Sequence, residues 1–327
     1  MKKIALIGFL MFLSLLLVAC SNSKKADIVT TMFPQYDFAK QIVGDKMTVS
    51  LLIPPGAEIH DYEATSQDMV AIREAKLFIF TSFDIDTWIK DVDQMIGSST
   101  ITINLSESYI LSDHIHDDHI DMSLSSTALE DDHDEDHDHE HDNEIHFWTD
   151  PTTAIQLIEA ILEKVIEIDP ENAAFYEENA HDYIHEIEEL HHEIDEYLMS
   201  ETYHDSIIYF AGHNSMGAFG ERYHLNIVSL FEGFKPDADL TSSELIQFVN
   251  QVKTAQAKYL FIEELVEPKA AEKIKLELAK ENYDLNLLEL HGYHNITKSQ
   301  MEAGVTYRDL LEQNFENIKL ALNTPTF

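Results

Sequence analysis

Four histidines in this chain stand where imidazole could collect a metal ion. His60 lies in Ile53-Pro54-Pro55-Gly56-Ala57-Glu58-Ile59-His60-Asp61-Tyr62-Glu63, after an apolar run at Met47–Ile53. His146 lies in His146-Phe147-Trp148-Thr149-Asp150-Pro151, just ahead of a helical pattern. His213 directly follows the apolar run Ser206–Gly212, and His291 directly follows Asp284–Leu290. Imidazole nitrogen suits zinc, and four neutral ligands can close a tetrahedral shell. Any one of these histidines would serve equally well as a helix cap or a core hydrogen-bonder. Their joint placement favours a metal site: two come from each half of the chain, and three sit where strands end. A carboxylate also stands beside the last position, since Glu289 and His291 would face the same side of a strand.

A second set of histidines has a different character. Between Asp113 and Asn143 the chain is acidic and nearly free of apolar residues, with Asp131-Asp132-His133-Asp134-Glu135-Asp136-His137-Asp138-His139-Glu140-His141 at its centre. Such a composition buries no core and is expected to be disordered. Its alternating imidazoles and carboxylates, among them His133, His137, His139 and His141, would make many weak metal sites at high local concentration. Elsewhere His181 and His185 stand four apart in a helical pattern, a spacing that can hold zinc. The residue after the first of them is Asp182, where a metalloprotease helix has its glutamate base, so a solvated helix face is the better reading.

Positioning the four ordered histidines falls to alternating strands and helices. Strands are expected at Asp27–Phe33, Met47–Ile53, Lys76–Ser82 and Thr100–Leu105, with helices at Gln35–Val43, Ser66–Ala75 and Asp84–Ile96. The second half repeats the scheme. Its strands are Ser206–Gly212, Asn226–Phe231, Lys258–Glu263 and Asp284–Leu290, and its helices are Ser215–Tyr223, Ser242–Thr254, Lys269–Glu281 and Tyr307–Leu322. Strands separated by helices of this length imply parallel sheets with right-handed crossovers. Between the halves, Pro151–Ile168 is apolar at helical spacing. Asp169-Pro170 interrupts it, and a second helix runs to about Ser200 with Ala180, Ile184, Ile187, Ile194 and Leu198 on one stripe. The expected fold class is α/β, with two lobes, each a mainly parallel sheet flanked by helices, joined by one long rigid helix. The divisions are an N-terminal lobe over 27–169, a linking helix over 170–200 and a C-terminal lobe over 201–327. Ligands of open α/β sheets bind beyond the carboxyl ends of the strands, so a site between the lobes could hold all four histidines.

Composition narrows the function. With 61 Asp and Glu against 21 Lys and Arg, the net charge is −40, which repels nucleic acid and attracts cations. The chain opens with Met1-Lys2-Lys3, an apolar run from Ile4 to Ala19, and then Cys20, the only cysteine. The run is short of the roughly 20 residues that span a bilayer. It resembles a bacterial lipoprotein signal, with residues 1–19 removed, Cys20 lipidated and residues 20–26 forming a tether. That places the protein on the extracytoplasmic face of a membrane.

The chain as a whole resembles the zinc-binding, cluster A-I substrate-binding lipoproteins of bacterial ABC metal importers. The resemblance runs over essentially everything after the signal. It is carried by Pro55 to Glu63, by His146 to Pro151, by His213-Asn214-Ser215-Met216-Gly217-Ala218-Phe219, and by the tail His291 to Asn295 followed by Gly304-Val305-Thr306-Tyr307. The acidic, histidine-rich segment ahead of His146 is similar to that of the zinc branch. The resemblance implies a monomeric protein that captures Zn²⁺ and hands it to a membrane permease and its ATPase, without catalysis. It implies His60, His146 and His213 as ligands. The fourth position is usually Asp, Glu or water in relatives; here alignment by the following glycine gives His291, with Glu289 as the fallback. Two other functions remain open at this point: a manganese-binding member of the same importer family, and a zinc hydrolase with an open coordination position.

Overall fold

The computed structural model describes residues 25–59, 62–108, 145–231 and 241–323. The signal segment, Cys20, His60 and the histidine-rich segment lie outside the described residues. The first lobe contains β1 (Ile28–Thr30), α1 (Phe33–Val43), β2 (Val49–Leu51), α2 (Ser66–Glu74), β3 (Leu77–Phe80), α3 (Val92–Met95) and β4 (Ile101–Asn104). Two long helices follow, α4 (Pro151–Ile168) and α5 (Ala173–Leu198). The second lobe contains β5 (Ile207–His213), α6 (Gly217–Arg222), β6 (Asn226–Phe231), α7 (Ser242–Thr254), β7 (Tyr259–Ile262), α8 (Lys269–Ala279), β8 (Asn286–Glu289), α9 (Lys298–Ala303) and α10 (Tyr307–Asn323).

Both sheets have four strands in the same spatial order, β2-β1-β3-β4 and β6-β5-β7-β8, and every pairing is parallel. The expected two-lobed α/β fold is therefore the one observed. Strands of a parallel sheet are covered on both faces and read as unbroken apolar runs. Leu77-Phe78-Ile79-Phe80 of β3 is such a run, buried at every position.

The bounds of α4 follow from its ends. Asp150 caps it by accepting from the Thr152 amide at 2.9 Å, and Pro151 occupies the first turn, where no amide is needed. Asp169-Pro170 stops it, and Pro170–Asn172 forms a separate 3-10 turn rather than the start of the next helix. The 26 residues of α5 span about 39 Å. Its buried stripe is Tyr176, Ala180, Tyr183, Ile187, Leu190, Ile194 and Leu198. That stripe packs on α4, on α1 of the first lobe and on α10 of the second.

One expected helix is mostly absent. Asp84–Ile96 yields only Val92–Met95 as α3. After β3, the Thr81 amide donates to Asp86 Oδ2 at 2.7 Å and the Ile85 amide to Ser82 Oγ at 3.1 Å. Side chains that satisfy the backbone in this way stabilise a turn in competition with a helix.

Candidate metal centre

The described site lies at the carboxyl ends of the second sheet, at the point where its strand order reverses between β5 and β7. His213 is the last residue of β5, and Glu263 and Glu264 directly follow β7. His294 sits on the turn after β8, and His146 precedes the 3-10 turn Phe147–Thr149. His146, His213 and His294 are all buried, and each places a ligand atom within 4.8 Å of the others.

Within the group the Nε2 atoms of His146 and His213 are 3.3 Å apart. Two nitrogens bound tetrahedrally to zinc at ~2.0–2.1 Å are separated by about 3.3–3.4 Å. The two lobes thus present a pair of imidazoles at the edge length of a zinc tetrahedron. For His213 the geometry also fixes the tautomer. Its Nδ1 lies 2.6 Å from Glu263 Oε1, and its backbone amide donates to the same oxygen at 2.5 Å. A carboxylate accepts, so Nδ1–H donates, and in the neutral imidazole that a metal requires Nε2 carries the free lone pair.

His294 is arranged in the same way. Its Nδ1 donates to Glu264 Oε1 at 3.0 Å, while Glu264 Oε2 accepts from the Gly292 amide at 2.9 Å. Burial raises the Glu264 pKa, but the charges of His291 and His294 and the hydrogen bonds from His294 and Gly292 outweigh it, leaving the carboxyl far below its usual range. Burial likewise disfavours a charged His294, yet Glu264 prevails and the imidazole pKa is raised.

Two glycines give these groups room. A Cβ on Gly212 would lie 2.3 Å from Glu263 Oε1 and 2.5 Å from its Cγ. On Gly292 it would lie 2.5 Å from His294 Cε1. Beside the group is a small cleft of about 30 Å³, lined by Ala57, Glu58 and Ile59 from the first lobe and by Glu263, Glu264, His294 and Asn295 among others from the second.

The lobes are stitched together around this point. Trp148 Nε1 donates to the Gly292 carbonyl at 2.9 Å, and Tyr307 Oη donates to the Trp148 carbonyl at 2.9 Å. Arg222 on α6 pairs with Asp150 at 2.8 Å. Asn295 Nδ2 donates to the carbonyls of Pro54 and Ala57 at 2.8 and 2.9 Å. This last contact ties the residue next to His294 to the segment leading toward His60.

Of the residues expected as ligands, the structure brings His146 and His213 together, and His60 lies outside the described residues. His291 is buried but is not in the group; His294, three residues on, is. The His291 Nδ1 accepts from the Tyr293 amide at 2.9 Å, and its backbone amide donates to Asn314 Oδ1 at 2.7 Å. With Tyr293 in the left-handed region at φ 62°, the chain turns so that His294 reaches the site. Glu289 ends β8 and accepts instead from Gln313 Nε2 on α10 at 3.0 Å. The sequence reading missed His294, Glu263 and Glu264. A pair of carboxylates at the carboxyl end of the expected strand Lys258–Glu263 is the signal in the sequence for the two glutamates. The exposed His181 and His185 of α5 have Asp182, Glu188 and Glu189 as neighbours, as on a solvated face.

A buried set of imidazoles backed by carboxylates, at the meeting of two parallel-sheet lobes, defines a two-lobed metal-binding protein. Residues 28–321 match the model of the family described as "Zinc-uptake complex component A periplasmic" (ZnuA), and the chain belongs to that family. It is 29% identical over 319 residues to the high-affinity zinc uptake system protein ZnuA of Bacillus subtilis, covering 94% of each chain. It is 30% identical over 325 residues to the zinc-binding lipoprotein AdcA of Streptococcus pneumoniae, covering 98% of this chain but only 61% of that longer protein. Among solved structures, the metal-dependent lipoprotein YcdH of Bacillus subtilis superposes with a TM-score of 0.70 at 26% identity, covering 91% of this chain and 99% of that one.

Proposed function

We propose that this chain captures zinc with high affinity outside the cytoplasm and delivers it to an ABC permease and its ATPase, tethered to the membrane by a lipid on Cys20. The observation that carries the reading is the 3.3 Å separation of two buried Nε2 atoms contributed by the two lobes. The proposed ligands are His146, His213 and His294, with His60 completing the shell. A nitrogen-rich set of this kind favours zinc over manganese, which prefers oxygen donors. The histidine-rich segment, including His133, His137, His139 and His141, serves as an auxiliary collector of weakly held zinc.

Binding without catalysis also fits the placement of the carboxylates. A catalytic zinc needs a general base near its bound water. Glu263 and Glu264 are instead hydrogen-bonded to His213 and His294.

Zinc titration calorimetry on the chain from Ser21, with manganese in competition, tests the assignment. One tight zinc site, retained when Asp113–Asp142 is deleted and lost in His213→Ala, is the expected result. Tight binding that vanishes with the deletion, or that manganese displaces at equal concentration, would overturn it. The anchor is checked separately: Cys20→Ser should abolish incorporation of labelled fatty acid in the producing cell.

A further inference from the structure

A second group of metal-ligating side chains lies at the opposite end of the second sheet. His204 and Asp205 are on the loop between α5 and β5, and His224 is on the turn between α6 and β6. Each offers a ligand atom within 4.8 Å of the other two, and all three are exposed. The imidazole rings of His204 and His224 stack at 5.1 Å with 23° between their planes. The Asp205 Oδ2 lies 2.9 Å from His204 Nδ1. The seven residues of β5 separate this group from His213, so it stands on the order of 20 Å from the metal centre above.

The backbone holds the three side chains in place. At the end of α6 the Leu225 amide donates to the Gly220 carbonyl at 2.9 Å and the His224 amide to that of Glu221 at 3.4 Å. This is a Schellman closure, with His224 at the left-handed position (φ 50°) that glycine usually fills. Tyr223 and Leu225 on either side are buried, which fixes His224 outward. Asp205 is also left-handed, at φ 58°. The two connections are joined to each other, because the Asn226 amide donates to the Ser206 carbonyl at 2.8 Å where the β5–β6 pairing begins.

We propose that His204, Asp205 and His224 form a second, solvent-facing site for an imidazole-preferring divalent cation of the Zn²⁺ class, independent of the cleft. Two imidazoles and one carboxylate make a mixed nitrogen and oxygen set that selects such ions over Mg²⁺ or Ca²⁺. Water completes the coordination at an exposed site, so the ion is held more weakly than in the cleft and exchanges freely. The chain's net charge of −40 raises the local concentration of cations that the site samples.

Residue-resolved protection of histidines from diethyl pyrocarbonate, read by peptide mass spectrometry on the full chain titrated with zinc chloride, tests this. His204 and His224 should lose reactivity together, with one shared midpoint above that of His213, and magnesium chloride should protect neither. The variants are His224→Asn and Asp205→Asn, since asparagine tolerates the left-handed backbone at both positions. Each should raise the zinc midpoint of His204 by about tenfold or more, while that of His213 stays fixed. The proposal fails if His204 and His224 remain reactive at zinc levels that protect His213, if their midpoints separate, or if His224→Asn leaves the His204 midpoint unchanged. Because His213 is followed in the same digest, failure here is distinguishable from failure of the cleft assignment.

Discussion

In the second lobe, His213 and His294 each rest a ring nitrogen on a carboxylate, Glu263 and Glu264. His146 of the first lobe is steadied differently. Its ring meets the Trp148 indole edge-on at 5.2 Å, and its carbonyl accepts from Thr149 Oγ1 at 3.0 Å. A carboxylate behind an imidazole fixes the tautomer and raises the basicity of the ligating nitrogen. An aromatic neighbour fixes orientation alone. The carboxylates of the second lobe would therefore tune its two candidate ligands electronically, whereas the indole edge beside His146 acts on the orientation of its ring.

The largest test of this contrast removes ligands outright. If the binding free energy of a four-ligand zinc site is shared evenly, one ligand accounts for roughly 3 kcal/mol, or about 100-fold in affinity. We expect His294→Ala and His146→Ala each to lose at least that much by calorimetry, and His291→Ala to lose much less. An equal loss in His291→Ala would return the fourth ligand to the position suggested by its neighbouring glycine.

A smaller effect should come from the carboxylates. Glu264→Gln and Glu263→Gln are expected to weaken zinc by about 10- to 100-fold while leaving the ligands in place. Glu264 also sets the pH response. Zinc needs a neutral imidazole, and because Glu264 raises the His294 pKa, protons compete with zinc from a higher pH as the solution is acidified. In Glu264→Gln that competition should begin at lower pH. An affinity–pH profile identical to wild type would mean that His294 is not a ligand.

The smallest effect should be in the first lobe. Trp148→Phe keeps a ring beside His146 but removes the 2.9 Å bond to the Gly292 carbonyl. A bond of that kind contributes about 1 kcal/mol, so affinity should fall only about fivefold, with no change in the pH profile. A shift in the profile would show that the first lobe tunes its ligand electronically as well.

Much of this arrangement was legible in the sequence because strong local signals agreed. The bounds of β6 and α7, and of the helix Pro151–Ile168, are those expected from apolar runs and from caps and prolines. His146 and His213 were legible because each stands at an element boundary beside a glycine or a capped helix. The helix expected at Asp84–Ile96 was not, because Ser82 and Asp86 engage the backbone through side chains that periodicity does not register. His294 was hidden for a related reason. Strand alternation assigns a face only while the strand lasts, and β8 ends at Glu289. Beyond it the direction of each side chain depends on the left-handed turn at Tyr293 and on space beside Gly292. Glu263 and Glu264 became informative only once β7 was known to lie next to β5.

The contact of Asn295 with Pro54 and Ala57 has a thermodynamic consequence. It joins the lobes at the level of the metal centre, and one apolar cluster runs from Phe38 and Trp148 through Ile187 to Phe210 and Tyr307. Halves joined in this way are expected to melt together, so an ion bound at the candidate centre would stabilise the whole chain. At a free-ion concentration 1,000 times the dissociation constant the added stability is about 4 kcal/mol. Heat resistance of the entire molecule thereby becomes a direct measure of how much of it is loaded.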